Sequence, residues 1–276
     1  MALTREMDSP LISEDDALRR AALLQLAHMP SLEGAKAIVE ALVFFLKERP
    51  KVAEEFEHVL YTPPLAALAE APVLQLLDEE NEAVREEAAF ILYKMRVRTS
   101  SRARLGQALA ADQSPWVRAY AAKALAMLPG SKVAAELGEA IDNEAMPGII
   151  GRMGEAIALC GDASLAEVLR DQAEQLRERQ APADAAQPDL WVRTAGQVAL
   201  FLDALAAKLS GELPEGAKLE ELPGAFAFTH PDFGKIAVAG GLEQGGYAAR
   251  VHTASGAEHL DFDSPDARKA VDALQE

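Results

Sequence analysis

One dipeptide returns through this chain at a nearly fixed interval. Val84-Arg85 stands in NEAVREEAAFILYKM, Val117-Arg118 in SPWVRAYAAKALAML and Val192-Arg193 in DLWVRTAGQVALFL, with a weaker copy at Leu18-Arg19 in DDALRRAALLQLAHM. Val84 and Val117 are 33 residues apart, and Leu18 lies 66 before Val84, twice that step. Degenerate copies at Val52 and near Ile149 fill the gaps. A period of this size marks stacked supersecondary units, none of which can bury its apolar side alone. Such a chain builds surface first and a catalytic pocket only secondarily.

Each unit reads as a pair of helices. Ser31 caps an apolar run at helical spacing over 31–48, Pro50 ends it, and 51–61 follows. Pro63-Pro64 opens a helix to about Leu77, and the acidic turn Asp78-Glu79-Glu80-Asn81 leads into the Val84 helix, where negative charge suits the positive end of the dipole. The pattern continues as 103–110, 116–127, 132–141 with Ser131 as cap, 148–159 opened by Pro147 and closed by Gly161, 164–179, and 190–209. The segment 180–188 reads as a loop insertion that stretches the last step to 43 residues. Aromatic residues are only 5% of the chain while alanine abounds, which favours closely stacked helices over a β-sandwich.

After Leu209 the pattern changes. Residues 210–224 read as a linker by composition. Beyond it, 225–229, 235–239, 247–253 and 259–263 alternate like short strands between Gly240-Gly241, Gly245-Gly246 and Ser255-Gly256 turns, and 267–275 reads as a closing helix. The expectation is a mainly α protein: an α-solenoid of about five helical hairpins over 1–209, the linker 210–224, and a small β-rich (α+β) module over 225–276.

The element Asp112-Gln113-Ser114-Pro115-Trp116-Val117-Arg118-Ala119-Tyr120-Ala121-Ala122 resembles the second helix of a HEAT-like repeat, in particular the subtype named for the phycobilisome lyases. The copy at Val84-Arg85 is similar, with Glu79 where the pattern has Asp. The resemblance spans about 14–209 and excludes the C-terminal module. It implies that the valine faces the core, that the alanine pair lets helices stack, and that Asp112, Arg118, Arg85 and Glu79 belong to a polar ladder between repeats. It also implies that second helices line an inner, concave face, where Arg20, Glu86, Tyr120, Lys123, Arg152, Glu155 and Gln197 become partner-binding candidates. Trp116 and Trp191 hold the same place in two repeats, either packing across the turn or serving as partner anchors.

The net charge of −17 disfavours nucleic-acid backbones and anionic membranes, and favours a basic protein partner. Lys94, Arg96, Arg98, Arg102 and Arg104 form the one basic island, a candidate anion site. His259, Asp261 and Asp263 alternate along the last strand, a weak metal candidate against the simpler reading of a solvent-facing strand. The single cysteine, Cys160, excludes an intramolecular disulfide. No histidine is followed by glutamate, so the di-iron pairs of the HEAT-like deoxyhypusine hydroxylases are missing. No nucleophile–base arrangement or phosphate loop stands out. The N-terminus lacks a signal core and no segment reads as a membrane span, so a cytoplasmic protein without a cofactor is expected. The functional reading is a non-enzymatic scaffold that binds a protein partner. The alternatives are a bilin-lyase-like accessory protein handling a prosthetic group and, more remotely, a HEAT-like nucleic-acid binder of the alkylpurine-glycosylase kind.

Overall fold

The computed structural model describes residues 9–128, 133–183, 185–253, 256–261 and 264–274, with only the backbone described at 253, 256 and 261. Helical hairpins of an α-solenoid are followed by a small β module, the fold class expected from the repeat. The chain divides into two compact units, Met1–Ala124 and Leu125–Glu276.

In the first unit α1 (Asp16–His28) precedes the hairpins α2 (Leu32–Glu48)–α3 (Pro50–Leu60), α4 (Ala66–Gln75)–α5 (Glu82–Met95) and α6 (Arg102–Ala111)–α7 (Pro115–Ala126). Local chemistry sets the starts. The Asp15, Ser31 and Asn81 side chains accept the otherwise orphaned amides of Ala17 and Leu18, Gly34, and Val84. Pro50 and Pro115 stand at first helical positions, where the missing N–H costs nothing. Pro63 and Pro64 do not open α4 as expected. They lie in the preceding turn, the helix begins at Ala66, and Pro72 sits inside it.

Val84 and Val117 are fully buried, as are the alanine pairs Ala88-Ala89 and Ala121-Ala122 that follow them one turn later. The ladder is formed as well. Arg85 Nε and Nη2 donate to Asp112 at 2.9 and 3.2 Å, while its Nη1 donates to the carbonyls of Glu79 and Glu80. Arg118 repeats the motif on the carbonyls of Asp112 and Gln113. Each arginine therefore caps its own turn, and Arg85 also reaches the next hairpin. Glu79 enters through its main chain. At Leu18 the expected core position faces water, 49% exposed, and Arg19 takes the buried place, donating to the Ser13 carbonyl and pairing with Asp16. No earlier described hairpin covers that flank of α1.

In the second unit α8 (Ala134–Asp142) and α9 (Pro147–Cys160) form one hairpin, α10 (Ala166–Glu178) and α11 (Pro188–Ser210) the next. Ser131, expected to cap the first of these, lies outside the described residues. Gly161 ends α9 at a φ of 72°, in the left-handed region that glycine tolerates. Ile149 is buried, but Val192 is 53% exposed. It shares the helical stripe of Ala195, Ala199 and Leu202, all buried, yet sits in the first turn of a 23-residue helix about 34 Å long, whereas the 14 and 13 residues of α9 and α10 reach only about 20 Å. The head of α11 overhangs its neighbours. By length and composition α11 could cross a membrane, contrary to expectation, but its central and C-terminal turns are packed in the core.

Five antiparallel strands follow in simple order: β1 (Lys218–Leu222), β2 (Ala225–His230), β3 (Gly234–Gly241), β4 (Gly246–Thr253) and β5 (Gly256–Asp261), closed by α12 (Pro265–Asp272). β1 lies within the stretch read as linker. Its KLEEL sequence is largely exposed and gives no apolar signal, and pairing with β2 makes it an edge strand. Register places Phe226, Val238, Ala249 and Leu260 in one row and Phe228, Ile236, Val251 and Glu258 in the next, on the face toward α11. The opposite face carries Ala237, Ala239 and Ala248, small enough for Ala267 and Val271 of α12 to pack closely.

One glycine sets how this module meets α9, and a second allows a close approach within the module. Gly246 has φ 152°, and a Cβ there would lie 2.2 Å from Glu155 Oε1 and 2.0 Å from Ser264 Oγ. Glu155, fully buried, accepts the Tyr247 amide at 2.7 Å. Gly240, φ 118°, would push a Cβ to 2.2 Å from the Gly246 carbonyl.

Two outcomes are expected. Gly246→Ala should destabilise the protein by about 2 kcal/mol or more in chemical denaturation, because it adds both strain and a clash, and should speed hydrogen exchange at the Tyr247 amide. Asp112→Ala should cost about 2 kcal/mol by removing a charge-assisted bidentate bond, against a change within about 0.5 kcal/mol for the exposed Glu220→Ala.

Candidate functional site

Five of the nine predicted partner-facing residues fall in the first unit, four of them (Glu86, Trp116, Tyr120 and Lys123) on its second helices. Phe90 and Tyr93 stand three apart on α5, Trp116 and Tyr120 four apart on α7, so each pair shares a helix face. Phe90 meets Tyr120 edge-on at 5.3 Å, Tyr93 lies nearly parallel to Tyr120 at 6.4 Å, and Trp116 is 6.2 Å from Tyr120. Tyr93 is buried beneath the row, while Phe90, Trp116 and Tyr120 keep part of their surface open. The Lys94 ammonium sits over the rings of Phe90 and Tyr93, at 5.3 and 4.8 Å. Lys123, expected in a groove, is instead fully buried with Nζ 4.3 Å from the Tyr93 ring centroid. A cation over an electron-rich face offsets part of its lost hydration.

Carboxylates border the aromatic row. Glu86 accepts the Ser114 hydroxyl at 2.5 Å, and Ser114 in turn accepts the Trp116 amide. The carboxyls of Glu57 on α3 and Glu87 on α5 act on one another electrostatically. Burial, then the charge of Glu57, pushes the Glu87 carboxyl up to about 8, and burial raises Glu57 as well. Burial and these two acids also raise the Tyr61 hydroxyl. On α1 the exposed Arg20 pairs with Glu55 at 2.6 Å. Sequence reasoning chose Glu86 and missed Glu57, Glu87, Phe90 and Tyr93. A register count was available: Tyr120 and Arg152 each stand three residues after the repeat's apolar position, and the same count from Val84 falls on Glu87.

Two arginines of the basic island are held in ion pairs. Arg98 pairs with Glu70 at 2.8 Å and adds its own amide, while Ser101 donates to the same carboxylate at 2.5 Å. Burial alone would raise the Glu70 carboxyl, but these donors hold it below its usual range. Arg104 pairs with Asp78. Lys94 lies over aromatic rings, and Arg96 ends α5 in the left-handed conformation. Arg102, at the start of α6, is partly buried. The cluster is thus woven into the α4–α6 turns rather than presented together to an anion.

In the second unit the candidates separate. Glu155 anchors the β module and lines no groove. Arg152 is partly buried, with Nη1 3.5 Å from the Gly148 carbonyl. Gln197 donates to Glu258 of β5, which Arg193 approaches at 3.6 Å. Trp191 is half-buried at the overhanging head of α11, beside a pocket lined by Gln187, Pro188, Asp189, Leu190 and Arg193. His259 Nε2 lies 2.7 Å from Asp272 of α12, a helix–strand contact. Asp263 and the side chain of Asp261 lie outside the described residues. Beneath the β2–β3 turn, Asp203 of α11 pairs with Arg177, whose guanidinium lies 3.8 Å from the Phe233 ring, and Phe233 stacks on His230 at 4.4 Å. Burial pushes the Asp203 carboxyl up against the pull of Arg177 and His230.

No curated protein matches the chain. Residues 70–158 match the family model described as HEAT repeats. The hairpins of that stretch are similar to HEAT repeats, helical units that commonly mediate protein interactions.

Proposed function

We propose that this protein is a non-enzymatic scaffold that captures a protein partner on the α3–α5–α7 face of its first unit. The observation that carries the reading is the row of Phe90, Trp116 and Tyr120, part-exposed and bordered by Glu57, Glu86 and Glu87. Aromatic side chains that are rigid and only half covered dominate binding energy at interfaces. The neighbouring carboxylates and the net charge of −17 favour a partner with lysine or arginine at the contact. Trp116 lies against Tyr120 of its own helix and keeps an open edge. Arg20 of α1 and Glu55 of α3 form a further charged pair in this unit.

The Arg85–Asp112 pair supports the phycobilisome-lyase subtype of repeat. That subtype concerns the ladder and not an activity. The nucleic-acid reading draws no support from Arg98 and Arg104, which are engaged with Glu70 and Asp78.

Affinity purification followed by cross-linking tests the reading. A genuine partner should cross-link to α5 and α7, weaken with added salt, and lose affinity about tenfold or more, a cost of about 1.4 kcal/mol or more, with Tyr120→Ala or Trp116→Ala. Undiminished capture by both variants, contacts confined to the β module, a bilin-induced absorbance band, or turnover by the purified protein would overturn it.

A further inference from the structure

The sheet order β1-β2-β3-β4-β5 leaves β1 with a neighbour on one side only. The turn at Pro223-Gly224 decides which of its backbone groups point to the open side. β1 and β2 pair from Leu222↔Ala225 down to Lys218↔Thr229, so the loop between them is two residues long, with Gly224 at φ 69°. In such a hairpin the closing pair exchanges both its hydrogen bonds, and bonded and non-bonded pairs then alternate. Glu220 and Lys218 therefore bond inward to Ala227 and Thr229, while Leu219 and Glu221 aim their N–H and C=O groups at the open edge. Those main-chain groups meet no further backbone partner among the described residues. At the strand entry the Ala217 amide is taken by the Pro214 carbonyl, which leaves the Ala217 carbonyl alone facing out.

An open edge pairs with extended chains, and charged side chains are the usual defence. On β1 the charges also match their own copy. Laid antiparallel on a second β1 and centred on Glu220, the strand sets Glu220 against Glu220. Centred on Lys218, it sets Lys218 against Lys218. Centred on Glu221, it opposes Glu221 to Glu221 and Leu219 to Pro223, which has no N–H to give. Centred on Leu219, it sets Lys218 of each copy against Glu220 of the other, twice, and Leu219 against Leu219. Both charge pairs then fall at non-hydrogen-bonded positions, where facing side chains are closest. The same register gives two bonds between the Leu219 residues, and one from each Glu221 amide to the Ala217 carbonyl of the other copy. Lys218 and Glu220 are exposed, and neither has an ion-pair partner among the described residues, whereas Glu221 is engaged with Lys208 of α11 at 2.6 Å.

We propose that β1 is a self-association edge: two copies join through it about a twofold axis at Leu219, and their five-stranded sheets become one continuous antiparallel sheet. A strand that pairs with itself uses one patch twice, which is the requirement of a twofold dimer. The charges that turn away a foreign apolar strand select the copy. The contact is a short strand edge, so the dimer is weak and depends on concentration. It is separate from the α3–α5–α7 face, and either reading can fail without the other.

Sedimentation velocity of the full chain from about 1 μM to about 1 mM should show monomer giving way to dimer. Lys218→Glu and Glu220→Lys each turn both attractive pairs into like-charge pairs, and each alone should raise the dimer Kd about tenfold or more. Lys218→Glu combined with Glu220→Lys rebuilds the pairs in reverse order and should associate as the wild type does. An equimolar mixture of the two single variants should also associate where neither does alone. A chain that stays monomeric over the whole range, or a dimer that both single reversals leave unchanged, would overturn the proposal. Should a variant fail to fold, amide hydrogen exchange of the wild type decides. The outward amides of Leu219 and Glu221 should slow as concentration rises, while the inward amides of Lys218 and Glu220 hold steady, and exchange independent of concentration at Leu219 and Glu221 would refute the edge pairing.

Discussion

A lone helical hairpin cannot cover its own apolar flank, and this constraint governs the helical part of the protein. Val84, Val117 and Ile149 stand at the same repeat position and are each buried. The alanine pairs after the first two let backbones approach closely enough to exclude water. Where no neighbour reaches, the same position faces solvent. Leu18 lies on the open flank of α1, with Ala17, Ala21 and Leu24 exposed beside it, and Val192 lies on the overhang of α11. The motif therefore reports a tendency to be covered, and coverage depends on what is adjacent.

Polar pairs hold the hairpins in register. Arg85 reaches Asp112, Ser114 reaches Glu86, Arg98 and Ser101 reach Glu70, Gln172 reaches Asp142, and Arg177 reaches Asp203. Their sequence separations run from 26 to 31 residues, close to one repeat. Apolar contact alone tolerates sliding. A buried carboxylate that must find its donor does not, because leaving it unmatched costs its full desolvation.

The β module follows a different rule. Its sheet is covered on both faces, by large side chains toward α11 and by alanines toward α12. This accounts for a stable sheet in a segment too small to build a sizeable core by itself. Glu155, Gly246 and Ser264 converge where β4 meets α9, and the missing Cβ of Gly246 leaves room for the carboxylate. The glycine pairs that read as turn signals in the sequence thus also serve a close approach between sheet and helix.

Period and capping chemistry were legible in the sequence because both are local. The 33-residue step located the second helices, and Ser31 and the acidic turn ending at Asn81 marked helix starts within a few residues. The Arg85–Asp112 ladder followed from resemblance, and the structure confirms its geometry. Strand β1 was not legible, since an exposed edge strand needs no apolar alternation. Nor were the destinations of Lys123, Glu155 and His259. Each is a polar residue whose partner lies on another element: the Tyr93 ring, the Tyr247 amide and Asp272. The sequence by itself determined which segments coil and how often they return, because helix propensity and capping depend on residues within a turn of each other. Tertiary structure alone decided which of those faces stay wet and which charges are neutralised, because burial and pairing depend on neighbours that the chain brings together only when it folds.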